Sequence, residues 1–252
     1  MTGSIVHPTA VVSDAAILAG DCVVGPFAVI DAGVRLGRGV AVSSHAVLLT
    51  GVTIGDRARV GSHSVIGGDP QDLSFDGSPS EVVVGADTVI HEAVTIHRAT
   101  GRTPTVIGPG CLIMGQVHVA HDCDVAAEVV VAQGAKLAGH VRLGERSIVG
   151  GLAGIHQWVR VGQHAMVGAM AKVVRDVLPY TVADGNPARH LQINAARLRQ
   201  RGFPPQEIRA LRAALLSVRT GAQVDRHDTS RAVSDFADFV DAPSRRGLST
   251  FT

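Results

Sequence analysis

Aliphatic residues recur every six positions along most of the chain. The series covers Val6–Ile66, resumes over Val84–Ile96, and continues over Ile107–Val173 after a shift of one residue. A period of six matches neither the 3.6-residue repeat of an α-helix nor the two-residue alternation of a long strand. It is typical of short strands joined by tight turns, in which each strand points one aliphatic side chain into a shared interior. We therefore predict a mainly β solenoid with three strands in each coil.

Two segments, residues 68–81 and 98–105, interrupt this series. Both contain turn-forming residues and predict loops that project from the solenoid. The uninterrupted parts hold 26 aliphatic positions of the series. At three positions per coil and about 4.8 Å between stacked strands, they predict roughly nine coils and a length on the order of 40 Å.

The six-residue pattern ends near Asp184, and the spacing of Ile208 and Leu211 after Pro204 is helical. We therefore divide the chain into a β-helix domain, residues 1–184, and a C-terminal helical region, residues 185–252. The last ten residues show neither pattern and are expected to be frayed.

Composition narrows the class of protein. Aromatic residues make up only 3% of the chain, and the formal net charge of +1 offers no field that would attract nucleic acid. No apolar run approaches the roughly 20 residues that cross a bilayer, so we expect no stable membrane insertion. Cys22, Cys111 and Cys123 have no metal-binding spacing, and the first ten residues lack the features of a secretion signal. These observations favour a reduced cytoplasmic protein.

Three strands per coil place residues 18 apart on the same edge of the solenoid. This spacing stacks His121, Gly139 and Gln157 in one column, and Asp122 and His140 in the next. Polar side chains therefore concentrate at one corner of an otherwise aliphatic prism. The predicted cluster comprises His118, His121, Asp122, His140, His156 and Gln157.

A histidine beside a carboxylate suits general-base chemistry, because the carboxylate fixes the tautomer and raises the basicity of the ring. If the substrate is a thioester, the N–H of Gly139 on the next coil can donate to the oxyanion that forms. A lone histidine in such a coil is more often a surface or hydrogen-bonded residue, but clustering on adjacent coils favours a site. A three-histidine zinc site, as in the γ-class carbonic anhydrases, and a non-enzymatic scaffold remain alternatives.

Six short strings carry a resemblance to a known family over roughly residues 5–215. They are PQDL, VTIHR, HVAHDC, LAGH, GIHQ and RQRGF. The order of HVAHDC, LAGH and HQ is the most specific part, because six-residue repeats alone indicate only the hexapeptide acyltransferases. The chain resembles the UDP-N-acetylglucosamine O-acyltransferases of lipid A synthesis.

The resemblance implies a left-handed parallel β-helix that forms a homotrimer with its sites between subunits. It also implies transfer of a 3-hydroxyacyl group from the phosphopantetheine of acyl carrier protein to the 3-hydroxyl of UDP-N-acetylglucosamine. The implied reaction requires neither a metal nor a further cofactor. An acyl- or acetyltransferase of the same superfamily, acting on another amino-sugar nucleotide, is the alternative.

By this resemblance His121 is the general base, Asp122 supports it and Gly139 stabilises the oxyanion. Ala169 matches the small residue that limits acyl-chain length, which suggests a medium or moderately long chain. The expected substrate contacts are Gln71, Asp72, His118, His140, His156, Gln157, Asn194 and Arg201.

Three positions depart from the family pattern: Ser74 replaces a lysine, Gln200 an arginine and Ala196 an acid. These losses leave the acyl-transfer residues in place but weaken the case for the usual acceptor and for O- rather than N-acylation. Residues 185–219 contain seven arginines and one glutamate. Such a basic segment suits an acidic carrier protein or a pyrophosphate as well as a solvated helix face.

Overall fold

The computed structural model describes residues 3–225 and 230–252. Three parallel sheets form the sides of a prism, and successive strands of the chain pass from one sheet to the next. The first sheet contains the strands Ile5–Val6, Val23–Val24, Ala41–Val42, Arg59–Val60, Val89–Ile90, Leu112–Ile113, Val130–Val131, Ile148–Val149, Met166–Val167, Thr181–Gly185 and Ala188–Ile193.

The other two sheets contain nine and eight strands. The second sheet has the strands Val11–Val12, Val29–Ile30, Val47–Leu48, Val65–Gly68, Thr95–His97, His118–Val119, Lys136–Leu137, Gly154–Ile155 and Lys172–Val173. The third has the strands Ile17–Leu18, Arg35–Leu36, Val52–Ile54, Val82–Val84, Thr105–Ile107, Asp124–Val125, Arg142–Leu143 and Arg160–Val161. The predicted mainly β solenoid is confirmed.

The register confirms that residues 18 apart stack. His118 pairs with Lys136, and Lys136 pairs with Gly154, along the second sheet. Across the two interruptions the spacing widens, as between Arg59 and Val89, yet the strands still pair in parallel. The loops therefore leave the prism without disturbing the stacking of its coils.

Each short strand points one residue inward and its neighbour outward, as the alternation of side chains in a strand requires. Leu137 is fully buried in the prism, whereas Lys136 beside it is exposed. Ile66, Ile96 and Ile113 occupy equivalent buried positions. Aliphatic stacks thus fill the interior of the prism, which explains the low aromatic content of the chain.

The corners of the prism share one backbone conformation. The second turn residue lies in the left-handed region, with φ of 58° at Asp122, 60° at His140 and 69° at Trp158. Its N–H donates to the first turn residue of the preceding coil, as from His140 to the His121 carbonyl at 3.0 Å. These hydrogen bonds stabilise a conformation that is unfavourable for residues other than glycine. They also align corner side chains in columns.

The C-terminal region corrects the expectation of a helical segment from residue 185. Strand Ala188–Ile193 instead folds back antiparallel onto Thr181–Gly185, with a turn at Asn186 and Pro187. Gly, Asn and Pro in sequence are a turn signal, and the pairing extends the first sheet. The helices are α1 (Ala195–Gln200), α2 (Pro205–Thr220) and α3 (Arg231–Asp241).

The last ten residues are ordered against the prism, so the expectation that they fray is wrong. The Gly247 carbonyl accepts a hydrogen bond from the Asp176 N–H at 2.8 Å, and the Thr250 carbonyl accepts one from the His190 N–H at 2.8 Å. Ser249 is buried. We call residues 242–252 the tail. Within the described ranges, no helix combines the length and apolar character of a membrane span.

Candidate active site

A cleft of about 720 Å³ lies on the outer face of the second sheet and continues onto the corner that follows it. We call this corner, residues 120–123, 138–141 and 156–159, the histidine corner. Most of the predicted residues line the cleft. Its polar lining includes Gln71, Asp72, His118, His121, Lys136, His156, Gln157 and Lys172, with Gly139 at its floor.

The His121 ring is buried at the edge of the cleft, and its two nitrogens have different surroundings. Nδ1 lies 2.7 Å from Oδ2 of Asp122. An ionised carboxylate only accepts hydrogen bonds, so Nδ1 carries the proton and Nε2 keeps its lone pair. Nε2 lies 3.9 Å from Oδ2 of Asp72. His121 therefore presents a proton acceptor to the cleft.

The loop between Arg98 and Thr105 holds the Asp122 carboxylate in place. Oδ2 of Asp122 accepts the Thr100 hydroxyl at 2.8 Å, and the Thr100 N–H donates to the same carboxylate. The Asp122 N–H donates to Oγ1 of Thr105 at 2.8 Å. These contacts fix the carboxylate independently of His121. Neither threonine was predicted, because their position depends on how this irregular loop folds back.

His140 completes the polar cluster from the next coil. Its Nε2 lies 3.6 Å from Oδ2 of Asp122, and its ring stacks on Trp158 with centroids 3.6 Å apart. Burial lowers the pKa of His140 below its ordinary value, although the nearby Asp122 opposes the shift. His140 is consequently neutral near pH 7.

Gly139 lies directly against the His121 ring. A Cβ added at Gly139 would lie 2.5 Å from Cε1 of His121. The Gly139 N–H donates to no backbone carbonyl of the described residues, because only the second residue of each corner makes that bond. Glycine is thus the residue that lets the base approach while leaving an N–H beside it.

The first loop, residues 68–81, places Asp72 over the cleft. Oδ1 of Asp72 accepts the N–H of Ser74 at 2.8 Å and its hydroxyl at 2.7 Å. These hydrogen bonds hold the pKa of Asp72 below its ordinary value. Ser74, one of the departures from the family pattern, therefore fixes this carboxylate, and Oδ2 remains directed at His121.

His118 lies on the strand before the histidine corner. Its Nδ1 lies 2.8 Å from the Thr95 hydroxyl. Burial, together with smaller effects of neighbouring His97 and Lys136, lowers the pKa of His118 to about 4. His118 is therefore neutral near pH 7 and takes part in hydrogen bonds rather than charge pairs.

Sequence reasoning missed the two lysines of the cleft. Lys136 and Lys172, the only lysines in the chain, both line it. Nζ of Lys136 donates to the Gln116 carbonyl at 2.6 Å. The sequence contains a signal for both lysines, because positions 118, 136 and 172 differ by multiples of 18 and therefore stack on one face. The 18-residue spacing was used only to predict the residues of the corner.

Three predicted residues lie elsewhere in the chain. Nδ2 of buried Asn194 donates to the His164 carbonyl at 3.2 Å, and Arg201 pairs with Glu128 at 3.3 Å. They flank the two ends of α1 and contact the corner that follows the third sheet. Ala169 is exposed in the third corner, between the first and second sheets. A single chain does not bring these three residues to His121.

One group of side chains in the described ranges could hold a metal ion. His121, Asp122 and His140 each place a ligand atom within 4.8 Å of the others. Two histidines and a carboxylate form a ligand set that zinc accepts. However, Oδ2 of Asp122 already accepts hydrogen bonds from His121 and Thr100, so a metal would replace the contacts that hold the base. The expectation of a metal-free site stays a prediction.

Comparison with known proteins identifies relatives along the whole chain. Residues 33–68 match a family model described as bacterial transferase hexapeptide (six repeats), and residues 176–249 match domain 2 of UDP N-acetylglucosamine O-acyltransferase. A protein of that name from Burkholderia mallei is 39% identical over 199 residues, 73% of this chain and 75% of the relative. The chain belongs to the UDP-N-acetylglucosamine O-acyltransferase family.

Other members of the family agree in sequence and in fold. The Burkholderia thailandensis protein is 43% identical over 151 residues, which cover 59% of this chain and 58% of that relative. The crystal structure of the Moraxella catarrhalis enzyme is similar with a TM-score of 0.93 at 32% identity, covering 97% of this chain and 99% of that one. The likeness therefore includes both the prism and the C-terminal helices.

Proposed function

We propose that this chain transfers a 3-hydroxyacyl group from acyl carrier protein to the 3-hydroxyl of UDP-N-acetylglucosamine. The observation that carries the proposal is the geometry at His121. Its Nδ1 is held by Asp122 at 2.7 Å, its Nε2 faces the cleft, and Gly139 lies against the ring. A base and an N–H donor thus share one small space, as acyl transfer requires.

The reaction follows from these positions. Nε2 of His121 takes the proton of the sugar hydroxyl as its oxygen attacks the thioester carbonyl carbon and forms a C–O bond. The Gly139 N–H donates to the resulting oxyanion. When the intermediate collapses, the C–S bond breaks and the phosphopantetheine sulfur takes the proton from His121. Asp122 stabilises the imidazolium that exists between the two steps.

The remaining lining suits an anionic, oxygen-rich substrate. Gln71, Asp72 and Gln157 offer hydrogen bonds to sugar groups, and the neutral ring of His118 adds a further partner. The ammonium groups of Lys136 and Lys172 supply positive charge suited to phosphate.

A homotrimer would complete the site. Asn194 and Arg201 lie on a different corner from His121, so they would reach the nucleotide in the cleft of a neighbouring subunit. Ala169 is exposed on the third corner, from which it would limit the length of the acyl chain bound in the cleft of a neighbouring subunit. A cyclic assembly repeats one such contact at every subunit.

The donor protein has a candidate docking surface. Arg189, Arg199, Arg209 and Arg212 are exposed on and around the C-terminal helices, where an acidic carrier protein would be attracted. Free thiols at the three buried cysteines suit a reducing compartment, so we place the reaction in the cytoplasm.

The test is acyl transfer from a panel of 3-hydroxyacyl carrier proteins of different chain length to UDP-N-acetylglucosamine. We expect His121→Ala to lower kcat/KM by about 1,000-fold, within the range of general-base catalysis. His63→Ala removes a corner histidine stacked on His45 outside the cleft and should retain transfer.

Two results would contradict the proposal. Full transfer by His121→Ala would show that His121 is not the general base. No transfer by folded wild-type protein would reject this acceptor and direct the same assay to other amino-sugar nucleotides and to acetyl-CoA. A requirement for a metal is tested separately, because loss of activity on chelation that zinc restores would show that the reaction depends on one.

A further inference from the structure

The tail reaches back to the histidine corner through Arg246. Its Nε donates to the Gln157 carbonyl at 2.7 Å, and its Nη2 lies 2.7 Å from Nδ1 of His156. The neighbouring Arg245 guanidinium lies over the Trp158 ring, 3.7 Å from its centroid. The tail thus contacts three consecutive residues of the corner.

The Arg246 contact determines where His156 carries its proton. A guanidinium has donors and no acceptor, so at 2.7 Å Nδ1 of His156 must supply a lone pair. The other candidate partner of Nδ1, the Gln157 carbonyl, is 3.4 Å away and already accepts from Arg246. His156 is therefore neutral, with its proton on Nε2.

Nε2 of His156 is left as a donor at the cleft. His156 lines the cleft and is exposed, and no partner of Nε2 is found in the part of the chain that the structure describes. His121 has the opposite arrangement, because Asp122 holds its Nδ1 proton and leaves Nε2 as an acceptor. The partner of His121 is acidic Asp122, and the partner of His156 is basic Arg246. One histidine therefore presents a hydrogen-bond acceptor to the cleft and the other presents a donor.

We propose that Arg246 is a positioning residue that fixes His156 as a hydrogen-bond donor to an oxygen of the nucleotide-sugar substrate. The inference rests on the proposed function for the identity of that substrate. The protonation state of His156 does not depend on it. A binding defect and a change of tautomer can consequently be measured separately.

The direct test is the ¹⁵N spectrum of protein labelled at histidine, with His156→Gln used to assign the signals. We expect wild-type His156 to show an unprotonated Nδ1 and a protonated Nε2. In Arg246→Met, which keeps a long apolar side chain without donors, the two tautomers should mix. A protonated Nδ1 in wild type would overturn the proposal, whether or not the protein transfers acyl groups.

The kinetic test separates positioning from a merely structural role. Arg246→Met should raise KM for UDP-N-acetylglucosamine about tenfold, the equivalent of one lost hydrogen bond, with kcat within about threefold. Arg246→Lys replaces the guanidinium with an ammonium group that can still donate, so it should recover part of the loss.

Arg219→Ala is the matched control, because Nη2 of Arg219 holds the tail at the Thr252 carbonyl, 2.6 Å away, without contacting the corner. Equal defects in Arg219→Ala and Arg246→Met would show that Arg246 only anchors the tail. An unchanged KM in Arg246→Met would reject its role in substrate binding.

Discussion

Two corners of the same prism use polar residues in opposite ways. In the histidine corner, Asp122 and His140 stack one coil apart beside a cleft that is lined by His121, Gly139 and His156. The corner after the third sheet, which we call the glutamate corner, has Glu128, Arg146 and His164 in equivalent positions. There Arg146 pairs with Glu128 at 2.7 Å, and Arg201 from the C-terminal region pairs with the same carboxylate.

The difference lies in what covers each corner. At the glutamate corner, His164 is buried against Tyr180 and Phe203, and the ion pair with Arg146 holds the pKa of Glu128 below its ordinary value. At the histidine corner, Nε2 of His121 faces the cleft. His164 is thus enclosed by aromatic rings, whereas Nε2 of His121 is directed into a cleft and is available to a substrate.

Glycine-to-alanine changes at the two corners should give the largest effects that follow from this comparison. The change at the histidine corner should impair catalysis, whereas the change at the glutamate corner should lower stability. Gly139→Ala places a Cβ 2.5 Å from a movable atom, Cε1 of His121, whereas Gly144→Ala places one 2.4 Å from the backbone nitrogen of Gln163. We expect Gly139→Ala to lower kcat about 100-fold by displacing the base. Gly144→Ala should lower the free energy of unfolding by about 1–3 kcal/mol.

Steady-state kinetics and denaturant unfolding of both variants check this contrast. Gly20→Ala is the control, because a Cβ there would meet no atom within 4 Å. If Gly139→Ala loses as much stability as Gly144→Ala, the two corners are equivalent structural elements and the contrast fails.

The buried histidine of the glutamate corner should make stability depend on pH. Burial lowers the pKa of His164 to about 4, with Arg146 and Arg201 adding to the shift. Between about pH 6.5 and 4 the unfolded chain therefore binds a proton that the folded chain excludes, and stability falls as pH decreases. His164→Phe keeps a ring against Tyr180 and removes this effect.

From pH 7.5 to 5.5 the wild type should lose about 1 kcal/mol more unfolding free energy than His164→Phe. Denaturant titrations of both proteins at the two pH values measure the difference. Parallel losses in the two proteins would show that His164 is not the group responsible.

The smallest effect is expected for the ion pair between Glu128 and Arg201. Glu128→Gln should raise KM for the nucleotide sugar at most about threefold, because exposed ion pairs contribute about 0–1 kcal/mol. Glu145→Gln is the matched control, since Glu145 contacts Arg146 at 3.3 Å but not Arg201. A tenfold or larger rise in KM for Glu128→Gln would show that Glu128 contributes to substrate binding beyond its pairing with Arg201.

The repeat made most of the fold predictable. A strict six-residue period fixes which side chain of each strand points inward, and 18-residue stacking then brings His121, Asp122, Gly139 and His140 together without further information. The same stacking reaches Lys136 when applied to the face of the second sheet. Where the chain leaves the period, local patterns gave wrong predictions, namely a helical segment at Ala188–Ile193 and a frayed tail.

The sequence by itself therefore determined the prism and the columns on its corners, because these depend on backbone geometry repeated over short distances. Only the tertiary structure decided which protons the histidines carry. Thr100 reaches Asp122 from 22 residues away, and Arg246 reaches His156 from 90 residues away. Contacts of that kind depend on how irregular segments pack against the prism, and no period in the sequence records them.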